Sequence, residues 1–442
     1  MDPLNTCKYP RFVFRGHAAP VNTIDVYQNA LLVSADQEGS IVVWDLSLKR
    51  KLTTIQNAHK DSILAIRLFK LDHLVIISQG RDNFIKAWKL VLKGFTAETL
   101  LLSTFPVDSL CFTAFSCLIS DKHRWLVSLV DSEKNKLCII DLSSNSINDI
   151  GVPTFITLGQ WTKYSGLDRT VMMMSVKAFI VKSELYVACG YEDGSLAIIK
   201  PDCSSASFQL IDSKLFDQSP ILTISFTHLN SNCIKTNTPD SSNLLHSAIS
   251  DKSTPKPSLI DQKILCALGG TGKNVYIIHI DEDGKFEENT RKILLKNAGI
   301  NTLQFLNFCD FENPSTSLLP QATPQHIETG IFLALGCWDY RIRIFDISTM
   351  QQSIVMLFHN APISQIFFVE IKSKLENHNS NILLKTDSTL EQSNDNENDS
   401  NCGSLLLKYQ KLKNSSLGKK QLSPNIQMLA CSHDFRLSLW DL

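Results

Sequence analysis

Met428-Leu429-Ala430-Cys431-Ser432-His433-Asp434-Phe435-Arg436-Leu437-Ser438-Leu439-Trp440-Asp441-Leu442 reads as two strands around a tight polar turn, the second ending in Trp-Asp. Its first half is an apolar run, and its second half alternates as a half-buried strand does. The same ending recurs upstream as Ile41-Val42-Val43-Trp44-Asp45, Lys86-Ala87-Trp88-Lys89 and Ile342-Arg343-Ile344-Phe345-Asp346. Trp44 and Trp88 lie 44 residues apart, and their units open on Gly16-His17 and Ala58-His59. A repeat of this length is one supersecondary unit that buries its faces against its neighbours.

Composition agrees with a packed array. The 442 residues are 43% hydrophobic and 8% aromatic, enough for a sizeable core. The 43 basic and 44 acidic residues nearly cancel, which removes the broad charge signature of a nucleic-acid binder. The N-terminus carries no charged start before a long apolar run, so no signal peptide is expected, and no run of about 18 apolar residues predicts a membrane span. The 12 cysteines form no CxxC pair. Cys138, Cys189, Cys266 and Cys431 sit inside apolar strands, as small hydrophobes do, and a reducing compartment is expected.

Seven units can be followed, at about 15–57, 58–104, 105–168, 169–215, 216–291, 292–355 and 356–442. Here the chain resembles the WD-repeat β-propellers of the G-protein β-subunit type. The unit from Gly16-His17 to Trp44-Asp45 carries the resemblance best, with Glu38 at the usual turn aspartate. The fold this implies is all-β: a seven-bladed WD40 propeller forming a single domain over 1–442, with four strands per blade. The resemblance also implies a relay of His, strand Ser or Thr, turn Asp and Trp. It places His17, Trp44, His59, Asp82, Trp88, Asp339, His359, Ser432, Asp434 and Trp440 in that structural role. Gly80 stands where unit two is expected to carry its serine. Phe345, Ile199 and Ile278 stand in place of tryptophan in units six, four and five, so those blades are expected to rely on packing.

Polar stretches at about 229–260, 309–328 and 372–424 interrupt units five, six and seven between first and second strands. Polar composition without period reads as surface loop, and such insertions cost little closure entropy. A Trp-Asp strand is the third of its blade, and after Leu442 no fourth follows. Tyr9-Pro10-Arg11-Phe12-Val13-Phe14 is the expected supplier, closing the ring by pairing with the C-terminal blade.

No enzyme is expected. Gly269-Gly270-Thr271-Gly272-Lys273-Asn274 lacks the first glycine and the final Ser or Thr of a phosphate loop. Asp281-Glu282-Asp283-Gly284 lacks the later ligands of a calcium loop. His17, His59, Ser34 and Asp36 could be assembled into a triad on paper, but read as relay or strand residues. No His/Cys cluster has zinc spacing, and neither metal nor cofactor is expected. The basic run Lys408 to Lys420 reads as a solvated loop. The turns between second and third strands should reach one rim of the ring. Arg81, Tyr191, Trp338, Tyr340 and His433 are the candidate partner contacts there, being mostly of the types that dominate interfaces.

Within WD-repeat chains this one resembles the fungal ASTRA-associated family. The residues that carry this are FRGHAAPVN at the opening, NAHKDSILAI and IISQGRDNFIKAWKL in unit two, the Asn/Ser-rich late insertions and the terminal Trp-Asp-Leu. It is also similar to the G-protein β-subunit-like family of animals. The resemblance implies a non-catalytic scaffold or adaptor subunit of the ASTRA complex. It would act in chromatin remodelling and in Tel–Tti-dependent maturation of phosphatidylinositol-3-kinase-related kinases. Its partners would be Tel–Tti adaptor proteins, Rvb-type AAA+ ATPases and those kinases. It would be nuclear, also cytoplasmic, with no direct nucleic-acid binding and no membrane. The alternative is a generic WD40 adaptor, such as a ubiquitin-ligase substrate receptor or an RNA-processing subunit.

Overall fold

The apolar runs become the middle strands of seven antiparallel sheets, the blades of a β-propeller. The structure is a computed structural model and describes residues 5–7, 9–107, 113–119, 124–132, 134–142, 153–158, 171–229, 263–307, 330–371 and 425–442. The polar insertions, save Leu229, and the Lys408–Lys420 run lie outside these residues. The strand pairs that flank the insertions are nevertheless in register, through Leu229↔Lys263, Asn307↔Ile331 and Ile371↔Asn425.

Blade one comprises Val21–Tyr27, Leu31–Asp36, Ile41–Asp45 and Arg50–Ile55, paired in that order from the axis outward. Blades two to six repeat this consecutive order. Their first strands are Ile63–Lys70, Ser116–Ile119, Met173–Val181, Ile221–Leu229 and Ile300–Asn307. Blade three begins later than the sequence spacing suggests. Phe105 and Pro106 still belong to blade two, where they pair with Ile85 and Phe84. The cause is a long outer hairpin, Phe84–Lys93 with Thr96–Pro106, which absorbs a bulge at Leu101/Ser103.

Every residue of Leu31–Asp36 is buried, because a middle strand is covered on both faces. The core is accordingly divided. Seven clusters of buried apolar side chains each fill the space between two adjacent blades. Between blades one and two, Val33 and Ile41 meet Ile66 and Ile76, and each such side chain contributes about 1.5–3 kcal/mol on burial. Cys138, Cys189, Cys266 and Cys431 lie within such clusters or between their strands as free, buried thiols. Burial pushes the Cys138 thiol up to about 12, so it stays protonated.

Blade seven is built from Ile363–Ile371, Asn425–Ser432 and Leu437–Asp441, and its outer strand is Phe12–Phe14 from the other end of the chain. Phe12, Val13 and Phe14 pair antiparallel with Leu439, Ser438 and Leu437. The Arg11 N–H donates to the Leu439 carbonyl at 2.7 Å. Phe14 is 1% exposed and meets the Trp44 ring edge-to-face at 5.5 Å, joining blade seven to blade one. A further element has no sequence signal: Asn5–Cys7 adds a parallel fifth strand to blade six, along Ile354–Met356.

Candidate protein-interaction rim and the relays beneath it

Blade one holds a chain of directed hydrogen bonds. Trp44 Nε1 donates to Ser34 Oγ at 2.8 Å, Ser34 Oγ lies 2.6 Å from His17 Nε2, and His17 Nδ1 lies 2.7 Å from Asp36. Read from indole to carboxylate, every donor finds one acceptor if the imidazole is neutral and protonated at Nδ1. Such a set resembles a catalytic triad on paper. Here the His17 side chain is wholly buried, Ser34 is buried, and the serine oxygen is already engaged by the indole. These bonds join the loop before the blade to its second and third strands.

The aspartate in this relay is Asp36, two residues before Glu38. Blade two reverses the arrangement. His59 Nδ1 meets Asp82 at 2.8 Å, and position 80, equivalent to Asp36, is glycine. A Cβ at Gly80 would stand 2.3 Å from His59 Nδ1 and 2.6 Å from the Asp82 carboxylate. Gly80 therefore leaves room for Asp82 and does not mark a missing serine. The serine is Ser78, bonded to His59 Nε2 at 2.8 Å and to Trp88 Nε1 at 3.1 Å.

Blade seven moves the hydroxyl to another strand. His359 Nδ1 meets Asp434 at 2.9 Å, while His359 Nε2 and Trp440 Nε1 both reach Ser438 at 2.8 Å. Ser438 faces Ala430 across the ladder, and Ala430 occupies the position of Ser34 and Ser78. Ser432, the serine expected from spacing, donates instead to the Ala361 carbonyl. The adjacent strand supplies the hydroxyl because cross-strand neighbours on one face lie within reach of the same ring.

Blade six replaces the relay with charge. Arg343 stands at the position of Ser438 and clamps Asp339 through both terminal nitrogens, at 2.8 and 2.5 Å. Asn297 adds a third bond to Asp339 at 2.9 Å. Burial raises the Asp339 carboxyl, but Arg343 and Asn297 outweigh it and leave it below the ordinary value. Blade five uses Asp217 with Asn274 at 2.8 Å. The glycine-rich Gly269–Gly272 segment ends the strand Lys263–Gly270 and enters the turn before Asn274. Asp281 likewise caps its own hairpin, accepting from the Asp283 and Lys285 N–H groups.

These bonds gather the second-to-third-strand turns and the loops entering each blade on one rim. Arg81 N–H donates to Ser62, Trp338 N–H to Gly299 and His433 N–H to Pro362. Arg81 is exposed, Trp338 is 41% exposed and Tyr340 46%, while His433 is half-buried. Trp338 is held in place: its indole N–H donates to Asn301, and its ring covers Gly299, which has a φ of +96° and where a Cβ would meet that ring at 2.3 Å. Burial lowers the His433 imidazole pKa. Tyr191 does not face a partner. It is 2% exposed and packs in the cluster between blades three and four, because it occupies the inward position of Asp36 and Gly80.

One feature of the rim follows from no composition rule. The residue five before the Trp position has positive φ in six blades: Gly39 +78°, Asn83 +67°, Asn135 +47°, Gly194 +85°, Tyr340 +68° and Phe435 +65°. Glycine and asparagine suit this left-handed turn. Tyrosine and phenylalanine do not, and each costs on the order of 1–3 kcal/mol there. Both are 46% exposed, on adjacent blades. Phe435 could have been suspected from its alignment with Gly39 and Asn83.

A family model described as WD domain, G-beta repeat, matches residues 8–45. The chain is 31% identical over 236 residues to ASTRA-associated protein 1 of Penicillium rubens, covering 45% of this chain and 52% of that one. It is 28% identical over 222 residues to the protein of the same name from Aspergillus niger, covering 43% and 50%. The chain thus spans about half the length of these fungal relatives. Guanine nucleotide-binding protein subunit beta-like protein 1 of Mus musculus is 22% identical over 374 residues, covering 81% and 90%. Among solved structures, Saccharomyces cerevisiae Sqt1 superposes with a TM-score of 0.52 over 98% of this chain and 99% of its own, at 11% identity, a likeness of fold. With three Trp–Ser–His–Asp relays among the described residues, the chain is a seven-bladed β-propeller whose first unit matches the WD-repeat model, similar to the fungal ASTRA-associated proteins and to the animal G-β-like protein.

Proposed function

We propose that this chain is a scaffold subunit of an ASTRA-type assembly that grips protein partners with the rim of blades six and seven. The observation that carries the surface is the pair Tyr340 and Phe435, two exposed aromatics held at backbone angles that favour glycine or asparagine. Local strain retained at an exposed aromatic is a reason to look for a ligand there. Trp338, exposed beside Tyr340, enlarges the patch, and Arg81 and His433 stand on the same rim. The names of the fungal relatives support the assembly.

On this reading the partners are Tel–Tti adaptor proteins, Rvb-type ATPases and phosphatidylinositol-3-kinase-related kinases. The role is to support kinase maturation and chromatin remodelling, in the nucleus and also the cytoplasm, with no catalytic step of its own. The test is affinity purification with mass spectrometry of the wild type and of a Tyr340→Asn/Phe435→Asn variant. Tel–Tti proteins should co-purify with the wild type and be depleted at least several-fold with the variant. The variant itself should be as stable as the wild type, or more stable by up to about 1 kcal/mol per site, because asparagine tolerates the turn. Recovery of cullin adaptors or ribosomal precursors instead would overturn the ASTRA assignment in favour of a generic adaptor.

A further inference from the structure

The inner strands of all seven blades border a central cavity of about 270 Å³. Its charged lining is one-sided. Arg67 of blade two and Lys177 of blade four border it, and no carboxylate does among the described residues. Asp25 lies close by, 3% exposed, but both of its oxygens are committed. Oδ1 takes Arg67 Nη1 at 2.8 Å, and Oδ2 takes the Leu68 N–H at 2.7 Å. Lys177 has no ion pair among the described residues. Ser364, also on the lining, has a buried hydroxyl with no partner among them. The remaining thiol, Cys117, is pushed up to about 12 by burial and adds no negative charge near neutral pH.

A second cation in a confined cavity with one saturated carboxylate is a net positive site. We propose that the channel binds one free oxyanion of phosphate or sulfate size between the Arg67 guanidinium and the Lys177 ammonium, with Ser364 as a further donor. An arginine with one N–H spent on Asp25 keeps others for a tetrahedral anion, and a lysine adds a compact point charge. The volume suits the ion and a few waters at about 30 Å³ each.

The pH dependence follows from the groups facing one another. Burial first, and then Arg67, depress the Lys177 ammonium to about 8, against the opposing field of Asp25. The anion binds the protonated lysine. Affinity should therefore be full below that value and fall about tenfold between pH 7 and pH 9, as the protonated fraction falls.

The experiment is calorimetric titration of the full chain with inorganic sulfate, whose charge is the same at both pH values, at constant ionic strength, at pH 7 and pH 9, for the wild type, Lys177→Met and Lys177→Arg. Saturable binding at pH 7, a tenfold loss at pH 9, at least a tenfold loss in Lys177→Met and retention in Lys177→Arg are expected. No saturable binding by the wild type, or equal binding by Lys177→Met, overturns the site. If Lys177→Met does not fold, the wild type labelled with ¹³C-lysine decides. The Lys177 ε-carbon signal must move with sulfate, and a signal that stays fixed overturns the proposal.

Discussion

At the scale of single residues, the relay is conserved as a circuit while its members change place around it. The carboxylate is Asp36 in blade one and comes from two residues later, Asp82, in blade two. The hydroxyl is on the second strand in blades one and two and on the third in blade seven. Ser438→Ala should leave Trp440 Nε1 and His359 Nε2 without a partner and cost about 1–3 kcal/mol. Adding Ala430→Ser restores the hydroxyl at the position blades one and two use, and should recover at least half of the loss. Urea midpoints measure this, and a double variant no more stable than Ser438→Ala would sink it. The His59 ring gives a pH signature. Burial lowers its pKa below the ordinary 6.5, against the pull of Asp82. A depressed folded pKa means a contribution fully present above pH 6.5 and lost as pH falls below it. Asp82 and Asp434 are also held low, since their hydrogen bonds outweigh burial, so their contributions go only below pH 3.8. NMR titration of the His59 ring should find its midpoint below 6.5; a midpoint above 6.5 contradicts the reading. Histidine and tryptophan could be read from spacing, and so could the turn aspartate in blades two and seven, whereas blade one has Glu38 at that place and uses Asp36. The serine could not, because Ser432 and Ser438 are equally plausible in sequence and only the strand pairing tells them apart.

At the scale of the blade, the polar circuits are distributed unevenly. Complete relays occupy blades seven, one and two, which are consecutive around the ring and flank the seam. In blades three and four the tryptophan position is Ile140 or Ile199, both buried. Those blades lack the relay's tryptophan and are joined to the ring by apolar packing, with single hydrogen bonds such as Asn135 Nδ2 to the Val171 carbonyl and the Ala178 N–H to Ser116 Oγ. Native-state hydrogen exchange should therefore find the slowest strand amides in blades seven, one and two, and the lowest-energy openings in blades three and four. Equal protection across all seven blades would contradict this. Strand order was readable because middle strands are apolar on both faces and turns fall at fixed offsets from Trp. The start of blade three was not, since a hairpin lengthened by a bulge keeps the same alternation past the expected boundary. The aromatic patch at Tyr340 and Phe435 was only half visible, because backbone sign at a turn is not written in hydropathy.

At the scale of the whole molecule, the ring depends on its seam. The N-terminal segment makes two attachments of different quality. Asn5–Cys7 adds a short parallel edge to blade six, and parallel pairs are the less stable kind. Phe12–Phe14 supplies a strand without which Leu437–Asp441 is an exposed edge. The exposed Arg11–Asp441 ion pair, 2.9 Å long and half in solvent on both sides, adds little. Phe14 adds much more: it is 1% exposed in the cluster that joins blade seven to blade one, and truncating such a phenylalanine costs about 3–5 kcal/mol. Two truncations separate the attachments. Removing residues 1–10 takes away the blade-six strand and spares Phe12–Phe14, and should lower the unfolding free energy by about 1 kcal/mol or less. Removing residues 1–14 should lower it by at least the Phe14 value, because the ladder and the packing go together. In a closed ring every inter-blade cluster is supported from both sides, so opening the seam should speed exchange first in blades seven and one and then in their neighbours. Both truncations can be followed by denaturant unfolding with exchange mass spectrometry. A 1–14 truncation that unfolds at the same midpoint as the 1–10 truncation would mean that the apolar clusters hold the ring shut without the borrowed strand.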